Sequence, residues 1–296
     1  MNITILGGTG FVGLSLINYL AKTKNNISVI TRNREENKKI LVYPNVSLVE
    51  ANVHNLEELT EHTKKTDVLI NLIGILNERG HSGRGFRKAH SDLARIILGA
   101  CKANNIKRLL HMSALNADPK GPSHYLRTKG EAESYLMTYG KRFSNITIFR
   151  PSVIFGKNDS FILRFSKLLD FVPFLFPLAC HNAKFAPVFI NELTEFMVNT
   201  INDSKSFNRI YNLCGPKVYS LKEILELIIQ TKNINTKVIP LSNFLSKTQA
   251  TIMEFVPGKP FSVDNYNSCK RDSFCESDYN FYSDLETIIP TYINFK

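Results

Sequence analysis

Tyr125 and Lys129 stand four residues apart in Tyr125-Leu126-Arg127-Thr128-Lys129. On a helix that spacing puts both side chains on one face. An ammonium beside a phenol stabilises the phenolate and draws the tyrosine pKa down. Such a tyrosine can pass a proton to or from a substrate oxygen. Ser113 follows the apolar run Arg108-Leu109-Leu110-His111-Met112, and a serine at a strand end can orient a carbonyl or hydroxyl. The same three residues also suit a pair kept for holding a ligand without turnover. What surrounds them in the chain separates the cases.

The elements that must position them begin at residue 3. Ile3-Thr4-Ile5-Leu6 reads as a short buried strand, and Leu14 to Lys22 as a helix with Leu16, Ile17 and Leu20 on one face. Between them lies Gly7-Gly8-Thr9-Gly10-Phe11-Val12-Gly13. A glycine turn between strand and helix is the context of a dinucleotide fingerprint. One glycine permits the tight turn, one admits the pyrophosphate, and one lets helix and strand pack closely. The helix N-terminus offers N–H groups and partial positive charge to phosphate. Two registers fit: Gly8-x-Gly10-x-x-Gly13, common in dehydrogenases, and Gly7-x-x-Gly10-x-x-Gly13, that of short-chain dehydrogenase/reductases.

Further strands read as Ile27–Thr31, Val46–Glu50, Asp67–Gly74, Arg108–Ser113 and Ile146–Gly156, with helices between several of them. That alternation predicts an α/β fold with a doubly wound parallel sheet. After the second strand, where an NAD enzyme usually carries an acid for the ribose, stand Arg32, Asn33 and Arg34. A guanidinium grips a 2′-phosphate that a carboxylate would repel. The expected cofactor is therefore NADP(H), with NAD(H) left open. Asn52 and Val53 fall beside the adenine in such a fold, although an asparagine there equally suits a plain turn. Gly74 would let the backbone approach the cofactor, and Lys129 would hold the nicotinamide ribose. Pro151 blocks a ladder donor where the sixth strand turns toward a ligand. Gly80, Gly83 and Gly85 with Arg79, Arg84 and Arg87 read as a basic loop, either a lid or a flexible connection.

After Gly156 the composition turns apolar, from Phe161 to Phe176, as core, as the wall of a greasy pocket or as a lipid contact. Phe171 to Cys180 is too short to span a bilayer and holds Pro173 and Pro177. Phe185–Leu193 reads as a strand entering a helix with Asn191 as N-cap, and Ser220 with Glu223 as a capping box. Phe244–Val256 reads as a helix, either packed on a small domain or lying amphipathic at the surface. The predicted domains are 1–155 with 185–204 returning to it, then 156–184 with 205–296.

The 296 residues carry 37 basic and 26 acidic side chains, a net charge of +11. That surplus suits an anionic ligand or membrane surface. The basic residues are scattered and no zinc-finger or RNA-binding motif occurs, so nucleic acid is not expected. The seven histidines have no ligand spacing, and no metal is expected. Five cysteines without a Cys-x-x-Cys predict reduced thiols in a cytosol-like compartment. A first strand so near Met1 leaves no room for a targeting peptide.

The glycine turn, Ser113, Tyr125 and Lys129 together resemble the atypical short-chain dehydrogenase/reductases. The stretches His111–Asp118, Ser123–Glu133, Arg150–Gly156, Pro187–Ile190 and Val256–Asp264 narrow the likeness. They resemble the nucleotide-binding accessory subunit of respiratory complex I and its bacterial homologues. The resemblance implies tightly held NADPH, little or no turnover, and association near a membrane quinone site or with ubiquinone biosynthesis. A cytoplasmic protein, peripheral on the inner face of the membrane, is the corresponding expectation. The alternative is an active NAD(P)-dependent reductase, dehydrogenase or epimerase. A redox-sensing regulator is a third class.

Overall fold

The computed structural model describes residues 1–172, 174–256 and 258–293. Pro173 and Pro257, invoked above in the apolar stretch and the C-terminal likeness, lie outside the described residues. The chain opens with β1 (Asn2–Leu6), α1 (Phe11–Leu20), β2 (Asn26–Thr31), β3 (Val46–Glu50), α2 (Leu56–His62) and β4 (Val68–Asn71). It continues with α3 (Arg84–Arg87), α4 (Leu93–Ala103), β5 (Arg108–Met112), α5 (His124–Tyr139) and β6 (Asn145–Pro151). Next come β7 (Ile154–Phe155), α6 (Ile162–Phe171), β8 (Leu175–Leu178), β9 (Lys184–Phe185), β10 (Val188–Phe189) and α7 (Ile190–Thr200). The remainder is β11 (Arg209–Leu213), β12 (Tyr219–Ser220), α8 (Leu221–Lys232), β13 (Lys237–Pro240), α9 (Asn243–Met253), α10 (Val263–Ser268) and α11 (Leu285–Ile288).

The chain divides into two compact units, Met1–Arg150 with Leu193–Tyr211, and Pro151–Glu192 with Asn212–Lys296. The first unit is built on a seven-stranded sheet in the order β11-β6-β5-β4-β1-β2-β3. Strands β1 to β6 pair parallel. Their near-continuous Ile, Leu and Val runs suit strands covered on both faces. One face buries Leu6, Ile30, Leu69, Leu109 and Ile148 with residues of α2, α4 and α5. Helix α1 buries Leu16, Ile17 and Leu20, as its apolar spacing requires. Buried Arg108 binds the 200–206 segment, donating to Thr200 O (2.7 Å), Ile201 O (3.0 Å) and Ser206 Oγ (2.9 Å).

In the second unit β7 pairs with β10 and β8 with β13 in parallel, and β9 pairs with β12 antiparallel. Ile162 and Leu169 of α6 and Ile224, Leu225 and Ile228 of α8 belong to its core. Ser220 and Glu223 form the expected capping box of α8. The buried Asp159 carboxylate accepts from Phe161 N–H (2.8 Å), Ile162 N–H (2.6 Å) and the Tyr292 hydroxyl (3.0 Å).

Several expectations need correction. Residues 205–211 join the first unit because β11 extends its sheet, and 185–192 join the second because β9 and β10 pair there. Asn191 is the second residue of α7 rather than its cap. Cys214 and Cys275 form a disulfide, against the expectation of reduced thiols. Backbone pairing of Asp278 N–H to Asn212 O (3.0 Å) brings their two segments together, which sequence spacing does not reveal. The 80–87 segment is only partly loop: Arg84–Arg87 is helical, and Glu78 accepts from the N–H groups of Gly83 (2.6 Å) and Gly85 (2.7 Å). Helix α9 buries only Ser246 and Ala250, while Phe244 and Phe255 are each 78% exposed. Of the two readings, the surface helix is the one found.

Candidate functional site: a dinucleotide cradle and a buried polar cluster

The glycine turn resolves into distinct jobs. Gly7 has φ +77°, and a Cβ there would stand 3.1 Å from the backbone of Leu72 and Ile73. A Cβ on Gly13 would lie 2.4 Å from Gly8 Cα, so α1 packs on the turn only with glycine there. Gly10, the N-cap of α1, is exposed, and its Cβ would meet nothing closer than Gly7 O at 3.4 Å. The protein's own packing does not demand glycine at Gly10, and the backbone there stands open to a ligand. Gly7, Gly10 and Gly13 thus take three different jobs, and buried Gly8, whose Cβ would stand 2.8 Å from Val29 Cγ1, is held to glycine by packing as well. Thr9 lies half-buried in the turn, and Phe11 and Val12 open the helix. No side chain caps α1 and no acid stands in its first turn, which suits a phosphate group.

At the other end of the expected cofactor path, Arg32 and Arg34 are exposed directly after β2. His54 has its pKa lowered, first by burial and then by Lys88 and Arg32, so three basic residues share this neighbourhood. Glu50, opposite Thr31 in register, accepts from Arg34 N–H at 2.8 Å. Sequence reasoning missed this acid because it arrives from β3 rather than β2. Asn52 Oδ1 accepts from His54 N–H (3.1 Å), the turn role, which leaves Nδ2 to meet a purine edge. The Val53 side chain belongs to the core, so only its backbone can meet a ligand.

The chemistry-bearing residues gather past the ends of β4 and β5. Ser123 caps α5 by accepting from Leu126 N–H (3.1 Å), which starts the helix that carries Tyr125 and Lys129. Lys129, only 4% exposed, donates from Nζ to Met112 O at 2.9 Å and so reaches the residue before Ser113. Burial draws its ammonium pKa down to about 8, partly opposed by Glu133. A Cβ on Gly74 would stand 3.1 Å from Lys129 Nζ, so the glycine keeps that approach open. Tyr125 is half-buried, with its ring edge-on to His90 (5.6 Å) and Phe86 (6.3 Å). Glu133 is clamped by Arg150, whose Nε donates to both carboxylate oxygens at 2.9 and 3.0 Å.

Two buried histidines complete the cluster, and hydrogen-bond bookkeeping assigns their tautomers. Thr128 donates its proton to His124 O, so it accepts from His90 Nδ1–H at 2.8 Å. His90 Nε2 then accepts from Ile75 N–H at 3.2 Å. Burial, then Lys129, holds the His90 pKa down at about 2, and the ring is neutral. Asn71 Oδ1 accepts from Ile73 N–H, which turns Nδ2 toward His111 Nδ1 at 3.0 Å. The proton of neutral His111 thus sits on Nε2, and burial lowers its pKa to about 3. His111 Nε2 and Ser113 Oγ are buried without a hydrogen-bond partner. Neither histidine was singled out from the sequence. The signal for His111 was its place two residues before Ser113 on one strand, which puts both on one sheet face.

All the expected site residues but one belong to the first unit; Pro151 ends β6, is buried, and is the first residue of the second unit. The orphaned Ser113 hydroxyl, the spare Lys129 protons and the open backbone at Gly10 fit a nicotinamide dinucleotide. Among the described residues no group of three or more His, Cys, Asp or Glu could hold a metal ion.

Sheet order, glycine turn and helix-borne Tyr125/Lys129 pair define a Rossmann protein of the short-chain dehydrogenase/reductase type. A family model described as NAD(P)H-binding matches residues 7–160, and the chain belongs to that family. It is similar to NADH dehydrogenase (ubiquinone) 1 alpha subcomplex subunit 9, mitochondrial, of Dictyostelium discoideum, 26% identical over 249 residues. That alignment covers 82% of this chain and 68% of the relative. The Arabidopsis thaliana protein of the same name is 25% identical over 300 residues, covering 96% of this chain and 73% of its own. Among solved structures, an NADPH-dependent quinone oxidoreductase from Escherichia coli shares the fold with TM-score 0.71 at 18% identity, over 90% of this chain and 89% of its own. UDP-glucose 4-epimerase of Thermotoga maritima does so with TM-score 0.77 at 12% identity, over 99% and 97%. The resemblance read from the motifs is borne out.

Proposed function

We propose that this protein holds NADP(H) as an accessory component of a respiratory or quinone-handling membrane complex, with little or no turnover of its own. The observation that carries the reading is the extent of the likeness. The similarity to the Arabidopsis subunit covers 96% of this chain, and so includes the second unit as well as the nucleotide-binding one. Arg32, with His54 and Lys88 nearby, supports a preference for the 2′-phosphorylated cofactor. Asn52, Val53 and Pro151 complete the cofactor contacts, and Ser113, Tyr125 and Lys129 line the nicotinamide end.

The docking surface belongs to the second unit. Phe171, Phe174, Phe244, Ile252 and Phe255 are exposed there, and β8 is tied to α9 through Gln249 Nε2 to Pro177 O (3.0 Å). We read these exposed apolar groups together as the interaction site. No helix among the described residues is long and apolar enough to cross a membrane. We place the protein in the cytoplasm, peripheral on the inner face of the membrane, with complex I or quinone-biosynthesis proteins as partners. Native purification tests this. NADPH and respiratory subunits should accompany the protein from a membrane fraction, with release that grows with ionic strength. Recovery alone in the soluble fraction at low salt would refute it.

The orphaned Ser113 hydroxyl favours a second reading, an active reductase or epimerase on a small carbonyl or hydroxyl compound. Tyr125→Phe separates the two. A substrate-dependent NADPH oxidation that disappears in this variant, with cofactor affinity kept, would replace the first reading by the second.

A further inference from the structure

Two of the three free cysteines, Cys180 and Cys269, line one cavity of about 340 Å³ in the second unit, together with His181 and Lys270. Their segments are stitched side by side. Lys184 N–H donates to the Asp272 carboxylate (3.0 Å), Ser273 N–H to Lys184 O (2.7 Å), and Ala186 N–H to Ser273 O (2.9 Å). Cys180 has φ +52°, an uncommon conformation for a side chain of its size. It is held there by the turn that donates Ala183 N–H to Cys180 O (2.9 Å). Both residues are half-buried, and Cys180 is the more open of the two thiols.

We propose that Cys180 and Cys269 form a reactive dithiol that exchanges with low-molecular-weight disulfides to close a second, reversible disulfide in the second unit. The Cys180 thiolate attacks one sulfur of the reagent disulfide, and the other sulfur leaves as a thiolate. Cys269, losing its proton, then attacks the Cys180 sulfur of the mixed disulfide and expels the second thiol. The protein dithiol loses two electrons and two hydrogens, and one reagent disulfide becomes two thiols. The roles follow from the surroundings. Cys269, which lines the same cavity, and Lys270 draw the Cys180 pKa down against the effect of burial. Cys180 and burial push Cys269 up, which makes it the resolving partner. The third free thiol, Cys101, is buried and pushed up to about 12, an internal control that should not react.

The test treats the whole folded protein with oxidised glutathione and follows intact mass and peptide maps. The expected product has lost two hydrogens and carries a Cys180–Cys269 link, with Cys101 unmodified. Cys269→Ser should stop at a glutathione adduct on Cys180, and Cys180→Ser should react roughly tenfold slower or less. Phenylarsine oxide, which needs two neighbouring thiols, should bind the unmodified protein in equal proportion and neither single variant. The arsenical and mapping results on the unmutated chain need no variant to fold. Stable adducts on both cysteines without a link, labelling of Cys101 at the same rate, or no arsenical retained would each overturn the proposal.

Discussion

Replacing Lys129 by methionine should make the empty protein more stable and the cofactor complex weaker. Lys129 is buried, its pKa is drawn from 10.5 to about 8, and its Nζ donates to Met112 O. A shift of that size corresponds to about 3 kcal/mol of destabilisation wherever the ammonium is charged in both states. Methionine removes that cost and loses a hydrogen bond worth roughly 1 kcal/mol net. The variant should therefore gain about 2 kcal/mol at pH 7. Because the folded pKa lies below the unfolded one, the unfolded chain binds more protons between pH 8 and 10.5. Stability of the unmutated protein rises across that window, and the advantage of the variant should shrink and then reverse by about 1 kcal/mol. Cofactor affinity should fall by roughly 1.5–3 kcal/mol, tenfold or more, from loss of a charged donor to the ribose. Urea unfolding across pH, with NADPH titration, measures both. A variant less stable than the parent at pH 7, or a stability difference that does not change with pH, would refute the reasoning.

Arg32→Ala should reduce the preference for NADPH over NADH about tenfold or more, read by parallel titrations. Gly10→Ala should cut cofactor affinity yet change the stability of the empty protein by no more than about 1 kcal/mol. Gly13→Ala, whose Cβ would stand 2.4 Å from Gly8 Cα, should destabilise the fold itself by roughly 1–3 kcal/mol or more in thermal or urea melts. Arg108→Met removes the donor to Ile201 O and one of two donors to Thr200 O, and should cost roughly 1–3 kcal/mol in urea unfolding.

The first unit was legible because its signals are local. Val46–Glu50 is a strand with the bounds that its pattern gives, and the glycine turn sits between β1 and α1 as expected. Tyr125 and Lys129 share α5, and Lys129 reaches the end of β5 beside Ser113. What stayed hidden depends on neighbours remote in sequence. His90 and His111 become site residues only when β4, β5 and α5 bring Asn71, Thr128 and Lys129 around them. The Cys214–Cys275 bond spans 61 residues that carry no spacing code. The amphipathic pattern of α9 was visible, but whether its apolar side meets core or solvent is decided by the rest of the second unit. Glu50 illustrates the same limit, since a strand register places it beside the end of β2.

Asp159 and Tyr292 bear on the order in which the protein can be made. Domains generally fold as units during synthesis, those nearer the N-terminus first. The first unit has all its strands once residue 213 has left the ribosome. The second began earlier, at Pro151, yet needs Cys275 for its disulfide and Tyr292 for the Asp159 carboxylate. Its α6 segment, with the apolar residues around it, must therefore wait through the translation of more than a hundred residues for its last partner. A chain stopped before residue 275 would retain every strand of the nucleotide-binding sheet and leave the second unit open. Such fragments are natural clients for chaperones, and their defect falls on the second unit rather than on the nucleotide-binding sheet.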